Sequence, residues 1–449
     1  MDIDELRARV TAELPRIRQD LEDLVRIESV SADPERAAEV QRSAEAVAEL
    51  FRAERFEDVQ VVSARDDGGA PAVLARKPAP AGKPTVLLYA HHDVQPENDH
   101  AEWDSPPFEP TERDGRLYAR GAADDKAGIA AHLAAVRALG DELDVGVTMF
   151  IEGEEEVGSD SLPALLRQHG EDLRADVIVI ADSGNWDIGV PALTTSLRGL
   201  VRLDVEVRTL SHAVHSGMWG GLVPDSLITL ARLIASCHDD EGNVAVEGLY
   251  AGPAADVEYP EARLRVESGA VPGVRWIGSG SSVERLWTKP ALSVIGLTAP
   301  KAEGSSNTLV PAATCRLSLR IAPGDSVANA RAALTRHLEQ HVPWNAELTI
   351  TPVDSGEPTR IDPTGPAYDA ARAAFAEAWD GTAPIEMGVG GSIPFIAEFL
   401  DAFPEAGVLV TGVEDPDTRA HGANEGLHLA EFERVVHAEA LLLAKLGEL

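Results

Sequence analysis

Five short stretches, far apart along the chain, carry residue types that can hold and use a divalent metal. His91-His92-Asp93 follows an apolar run, Leu87-Leu88-Tyr89-Ala90, that reads as a buried strand. A strand alternates its faces residue by residue, so His91 and Asp93 project one way and His92 the other. The carboxylate beside His91 can then fix the tautomer of an imidazole whose second nitrogen binds a metal. Asp124-Asp125 stands just before a helical stretch, Glu152-Gly153-Glu154-Glu155-Glu156 follows a second apolar run, Asp182 closes a third, and His421 lies in a loop after a fourth. Each has a plain structural reading when taken singly: a helix cap for Asp124, a solvated loop for the glutamates, a turn for Asp182. Glutamates crowded at the mouth of one strand, however, repel one another unless a cation lies among them.

The set is harder to explain by such readings than any member. His91, Asp124, Glu156, Asp182 and His421 supply two imidazoles and three carboxylates, a mixture suited to borderline-hard divalent ions. A pair of such ions is neutralised by those carboxylates and one bridging hydroxide, which leaves a centre that can sit in a dry cleft. With Asp124 between the ions, each has one histidine and one terminal carboxylate. The ions would lie about 3.5–4 Å apart, a spacing at which a shared water loses a proton near neutral pH. Glu155, next to a ligand and not needed as one, is the natural general base.

These residues must be brought together by an α/β layer. Residues 3–53 have the spacing of two amphipathic helices, with Leu6, Val10, Leu14, Ile17, Leu21 and Leu24 on one face of the first. Short strands are expected at 59–62, 72–75 and 85–90, then a Pro- and Asp-rich loop from 93 to 113, a helix over 126–139 and a strand over 145–151. A helix at 162–168 and a strand at 176–181 continue the alternation, which predicts a largely parallel sheet. After Pro191 the pattern changes: Val201, Leu203, Val205 and Val207 alternate with charged residues, as in a half-buried strand. The order strand, helix (227–234), strand (292–297), strand (315–321), helix (326–341), strand (346–353) is the β-α-β-β-α-β of a ferredoxin-like sandwich. The α/β pattern resumes with helices at 366–379 and 393–400, a strand at 407–411 and a helix at 429–446. We therefore expect a discontinuous catalytic domain, residues 1–192 and 356–449, and an inserted domain, residues 193–355.

The bulk composition narrows the field. A chain of 449 residues is too long for one ordinary core. A formal charge of −36 repels nucleic acid and anionic membrane surfaces and draws divalent cations, although much of it reads simply as a solubilising surface. No apolar run approaches the ~20 residues that span a bilayer. Residues 1–22 are charged throughout without an apolar signal core, and two cysteines, Cys237 and Cys315, make no disulfide framework, so a cytoplasmic protein is expected.

The strings AHHDVQP, GAADDKAG, EGEEEVGS, ADSGNW and RAHGANEG, in that order, resemble the M20 metallopeptidases, especially the carnosinase-like cytosolic dipeptidases. The resemblance runs over nearly the whole chain. It implies a di-metal aminopeptidase-like catalytic domain with an inserted lid and dimerisation domain. It implies His91, Asp124, Glu156, Asp182 and His421 as metal ligands with Asp124 bridging, Asp93 behind His91, and Glu155 as general base and proton shuttle. Zinc is the metal it implies first, manganese or cobalt next, together with a homodimer through the inserted domain and a cis peptide between Asp124 and Asp125. From the inserted domain it carries over His215, in VHSGMWGG, as a group that reaches the oxyanion across the dimer, and Arg320 as the holder of the substrate's terminal carboxylate. Asn307, Gly391 and Ser392 match substrate-contacting positions. Read without the family, His215 is a surface histidine in a Gly-rich turn and Arg320 an outward-facing strand residue. Two stretches depart from the family's pattern: Ala127 separates Lys126 from Gly128, and Asp182 is followed by Ser183-Gly184-Asn185.

The expected reaction is hydrolysis of dipeptides or short peptides. An N-acyl-amino-acid deacylase or a succinyl-diaminopimelate desuccinylase shares the same metal core and remains open at this point. A non-catalytic scaffold on the same fold would be marked by a lost ligand or a lost Glu155, and neither is missing.

Overall fold

The structure, a computed structural model, describes residues 2–64, 69–253, 255–391 and 394–449. The chain forms two compact units: Met1–Thr195 with Ile361–Met387 and Phe395–Leu449, and Ser196–Arg360 with Gly388–Pro394.

In the first unit the sheet runs in the order Glu57–Val62, Ala72–Lys77, Gly146–Glu152, Thr85–His91, Val177–Ile180, Gly407–Val410. The last four are mutually parallel, and Ala72–Lys77 runs antiparallel to both its neighbours, Glu57–Val62 and Gly146–Glu152. Parallel strands are covered on both faces and so read as unbroken apolar runs, and Gly146–Glu152 is buried at every residue. The register aligns their ends: His91 lies opposite Glu152, and Ile180 lies opposite both Tyr89 and Val410. Everything that follows these strands therefore emerges along one edge, the carboxyl edge where open α/β sheets place their ligands.

The central strand is held from both faces. The helix Lys126–Leu139, buried along nearly its whole length, packs on Thr85–His91, on the helix Ile3–Val25 and on the closing helix Leu429–Gly447. Within it, His132 reaches the Tyr89 carbonyl at 2.9 Å and Glu439 at 2.6 Å. From the helix Pro394–Ala402, Phe395 stacks on the Tyr89 ring with centroids 4.3 Å apart, and Phe399 meets it edge-on at 5.5 Å. The Tyr89 hydroxyl donates to Glu152 at 2.6 Å.

The stretch expected as a loop over 93–113 instead ends in a strand, Thr111–Arg113, which pairs with Arg116–Tyr118, itself paired with Gly426–His428 in a small antiparallel sheet. Arg116 locks it with a two-pronged bond to Asp415 at 2.9 and 2.6 Å. Strands of three residues are too short to carry a periodicity, which is why the sequence pattern passes over them.

The second unit holds a four-stranded antiparallel sheet in the order Ala291–Thr298, Ala312–Ile321, Gly199–Arg208, Glu347–Gly356. With helices Ser226–Ser236 and Val327–His341 this is the β-α-β-β-α-β order. Val201, Leu203, Val205 and Val207 form a core with Cys315, Leu317, Leu319, Ile321 and the apolar faces of both helices. The alternate residues of Gly199–Arg208, from Arg202 to Arg208, are only half-buried, as one-sided antiparallel sheets require. No helix among the described residues is long and apolar enough to cross a membrane.

Candidate metal centre

Five segments converge at the carboxyl edge of the first unit's sheet. His91 ends its strand fully buried, and its Nδ1 donates to the Asp93 carbonyl at 3.0 Å, with an Asp93 carboxylate oxygen 3.4 Å away. Its Nε2 points into the centre, 3.2 Å from Asp124 Oδ1 and 3.9 Å from both Asp182 Oδ1 and Glu155 Oε2. The other Asp124 oxygen lies 3.1 Å from His421 Nε2, which is 3.3 Å from Glu156 Oε2. Asp124 thus presents one oxygen to each histidine. Two donor triads result, His91-Asp124-Asp182 and Asp124-Glu156-His421, each with its donor atoms within 4.8 Å of one another. The Asp124–Asp125 peptide is cis. His92 faces away and bonds the Pro71 carbonyl at 2.8 Å.

The electrostatics of the cluster call for positive charge. Burial and neighbouring carboxylates push Asp182 up to about 7, and burial together with Asp182 holds Glu155 well above the ordinary carboxylate range. Asp124 is the exception: bonds to His421 and His91 outweigh its burial and hold it far below that range. His421 is carried up to about 11 by its bonds to Asp124 and Glu156. The His91 Nε2 is buried without a hydrogen bond of acceptable geometry, and the nearest groups are carboxylate oxygens. An imidazole nitrogen so placed, among anionic oxygens and out of reach of water, is what a divalent cation satisfies. The residues present therefore fit a metal.

The support beneath these groups was only partly legible beforehand. The Asp93 carbonyl accepts from His91, while its carboxylate, 3.4 Å from the same ring nitrogen, accepts from the amides of Glu155 at 3.2 Å and Glu156 at 3.1 Å, so one residue fixes both the histidine and the glutamate turn. Gln95, two residues on, donates through its main chain and side chain to Glu156 at 3.0 and 2.7 Å. Its place in AHHDVQP was the available signal. The helix after Asp124 starts at Lys126 despite the intervening Ala127, and the fully buried Lys126 ammonium donates to the carbonyls of Leu24 and Ile27 at 2.9 and 2.8 Å.

In the second unit, His215 and Asn307 are neighbours. His215 pairs with Thr308 across a two-residue ladder, the Asn307 carbonyl accepts from the Ser216 amide at 2.9 Å, and both side chains are exposed. The His215 Nδ1 accepts from the Gly217 amide at 3.0 Å, which leaves Nε2 as the outward nitrogen. Arg320 lies on the sheet face opposite the helices, half-buried, its guanidinium drawn below its ordinary value by burial and by Arg202. Gly391 follows Gly390, whose carbonyl accepts from Arg198 at 3.2 Å. Ser392 lies outside the described residues.

Comparison with known proteins covers most of the chain. A family model described as Peptidase family M20/M25/M40 matches residues 87–445. The chain is 34% identical over 445 residues to a cysteinylglycine-S-conjugate dipeptidase of Corynebacterium striatum, covering 98% of this chain and 97% of that protein. It is 30% identical to the Beta-Ala-His dipeptidase of Homo sapiens over 80% of this chain and 74% of that one. Among solved structures, human carnosine dipeptidase 1 superposes with a TM-score of 0.83 at 26% identity, covering 100% of this chain and 99% of that one.

Proposed function

The chain belongs to peptidase family M20/M25/M40, and from that footing we propose that it is a metal-dependent dipeptidase with two divalent ions, zinc first among them. The observation that carries the reading is the pair of donor triads sharing Asp124, with the unsatisfied His91 Nε2 at their head and Glu155 within 3.9 Å of it. The names of the similar proteins, dipeptidases in both cases above, support a dipeptide over an N-acyl amino acid.

In this reading His91 and Asp182 would hold one ion, Glu156 and His421 the other, and Asp124 both. Bound there, such ions polarise a carbonyl and bring the pKa of a shared water close to neutral. Glu155 takes the proton of the attacking water and hands it to the departing amine. In the metal-free protein its burial favours the protonated form; bound cations would favour the carboxylate that accepts the water's proton. Asp93 keeps the His91 Nε2 free of its proton by engaging Nδ1, and it holds the Glu155 amide in place. His215 offers a hydrogen bond to the tetrahedral oxyanion. Arg320 takes the terminal carboxylate, with Asn307, Gly391 and Ser392 in contact with the substrate. We further propose a homodimer through the inserted unit and a cytoplasmic location. The buried, unpaired Cys237 and Cys315 agree with that location.

The test is a substrate panel on metal-stripped protein refilled with zinc, manganese or cobalt. Dipeptides should be cleaved only after refilling. A preference for N-acetyl or N-succinyl amino acids over every dipeptide would overturn the proposal.

A further inference from the structure

His421 has little of its own to hold it in place. Its side chain is 59% exposed, its φ is +62°, and it lies in the loop between strands Gly407–Val410 and Gly426–His428. His91, by contrast, ends a strand pinned on both faces. Some other contact must set His421 and Asp124 at the distance they keep.

Glu425 supplies that contact. It is fully buried, four residues beyond His421. One of its oxygens accepts from the amides of Ala123 and Asp124 at 2.9 and 3.1 Å; the other accepts from the Gly121 amide at 3.1 Å and from Arg120 Nη1 at 2.6 Å. Its carbonyl accepts from the Ala119 amide at 3.1 Å. Arg120, only 1% exposed, turns its Nη2 back to the carbonyls of Gly422 at 3.1 Å and Pro96 at 3.2 Å. A carboxylate offers about four acceptor positions, and here each is taken by a protein donor. Glu425 therefore has no lone pair left for an ion, and its role is to hold other groups.

The consequence is selective. This buried pair ties the 119–124 segment to the 421–425 segment, and it reaches Pro96, three residues beyond Asp93. It touches neither His91 nor Asp182. We infer that Glu425, locked by Arg120, is a positioning residue that holds the His421 loop against the shared Asp124, and so governs the ion site that Asp124, Glu156 and His421 would form. The inference rests on the two-metal reading above.

The experiment titrates metal-free protein with Mn²⁺ alone, by calorimetry and by electron paramagnetic resonance, and needs no turnover. Wild-type protein should take two ions with an exchange-coupled spectrum. Glu425→Gln sets an amide N–H₂ against the Gly121 and Arg120 donors. It should keep one ion at wild-type affinity, bind the other about 10–100-fold more weakly, and lose the coupling. Arg120→Lys should shift both readouts the same way by less, since one ammonium cannot reach Glu425, Gly422 and Pro96 together. That variant carries the test if Glu425→Gln does not fold. A purely structural role would lower the melting temperature while leaving both affinities and the coupling unchanged. That result, or equal weakening of both ions, overturns the inference while the metal reading stands. Wild-type protein that takes fewer than two ions overturns the metal reading itself, and this inference with it.

Discussion

Replacing Glu155 by Gln should make the enzyme slower and the metal-free protein more stable, for one reason. The main chain at 155 is anchored by Asp93, which accepts the Glu155 amide at 3.2 Å, so an isosteric side chain leaves the turn and the neighbouring Glu156 in place. Metal content should be unchanged. Loss of a general base typically costs 10²–10⁴-fold in rate, or about 3–5 kcal/mol on the barrier. The stability effect follows from burial and from Asp182, which together hold Glu155 well above its ordinary range. Folded metal-free protein keeps a proton at Glu155 that the unfolded chain releases above pH ~4.5. Its stability therefore falls as pH rises from there, by at most about 1.4 kcal/mol per pH unit from this group. Gln exchanges no proton, so the variant's advantage should widen with pH up to the folded-state value. Bound cations invert this logic, so the melts belong on metal-stripped protein. The assay pairs kcat on a cleaved dipeptide with denaturation of metal-free protein at pH 5 and 7.5. A variant that keeps more than a tenth of the wild-type kcat, or a stability gap that does not widen, would refute the assignment of Glu155.

Two further substitutions test the supports. Asp93→Asn should weaken metal binding by about 10–100-fold, because an amide N–H₂ cannot accept from both the Glu155 and Glu156 amides while it also engages His91; unchanged competition against a chelator would count against it. His92 is fully buried and, chiefly by burial, brought down to about 4. The unfolded chain takes up a proton at about 6.5 that the folded chain refuses until about 4, so stability is lost as pH falls through that window. His92→Gln should then gain about 2 kcal/mol on the wild type between pH 7 and 5, measured by urea unfolding of metal-free protein; parallel pH profiles would exclude this account.

What could be read from the residues alone was whatever repeats with a period or ends a strand. The parallel strands announced themselves as apolar runs, and the polar residue after each run stands at the edge where the cluster forms. The start of the helix at Lys126 and the four strands of the second unit followed from the same patterns. Contacts between residues far apart in sequence left no such trace. That Asp93 would accept the amides of residues 155 and 156 depends on the parallel pairing of their strands, and that Glu425 would meet Arg120 depends on a sheet of three-residue strands with no periodicity to show. His215 and Arg320 lacked any signal beyond family resemblance, because an exposed histidine in a turn and a strand arginine are ordinary residues.

The amino-terminal helix supports the segment that carries Asp124 and Asp125. Its last turn and the residues just after it supply the two oxygens, those of Leu24 and Ile27, that take up the Lys126 ammonium, and Lys126 opens the helix directly behind Asp124-Asp125. Removing the stretch that carries those oxygens would leave the buried Lys126 side chain without its hydrogen-bond acceptors, directly behind Asp124-Asp125. Anyone engineering this enzyme has more freedom at its carboxyl terminus, where Leu449 is 67% exposed.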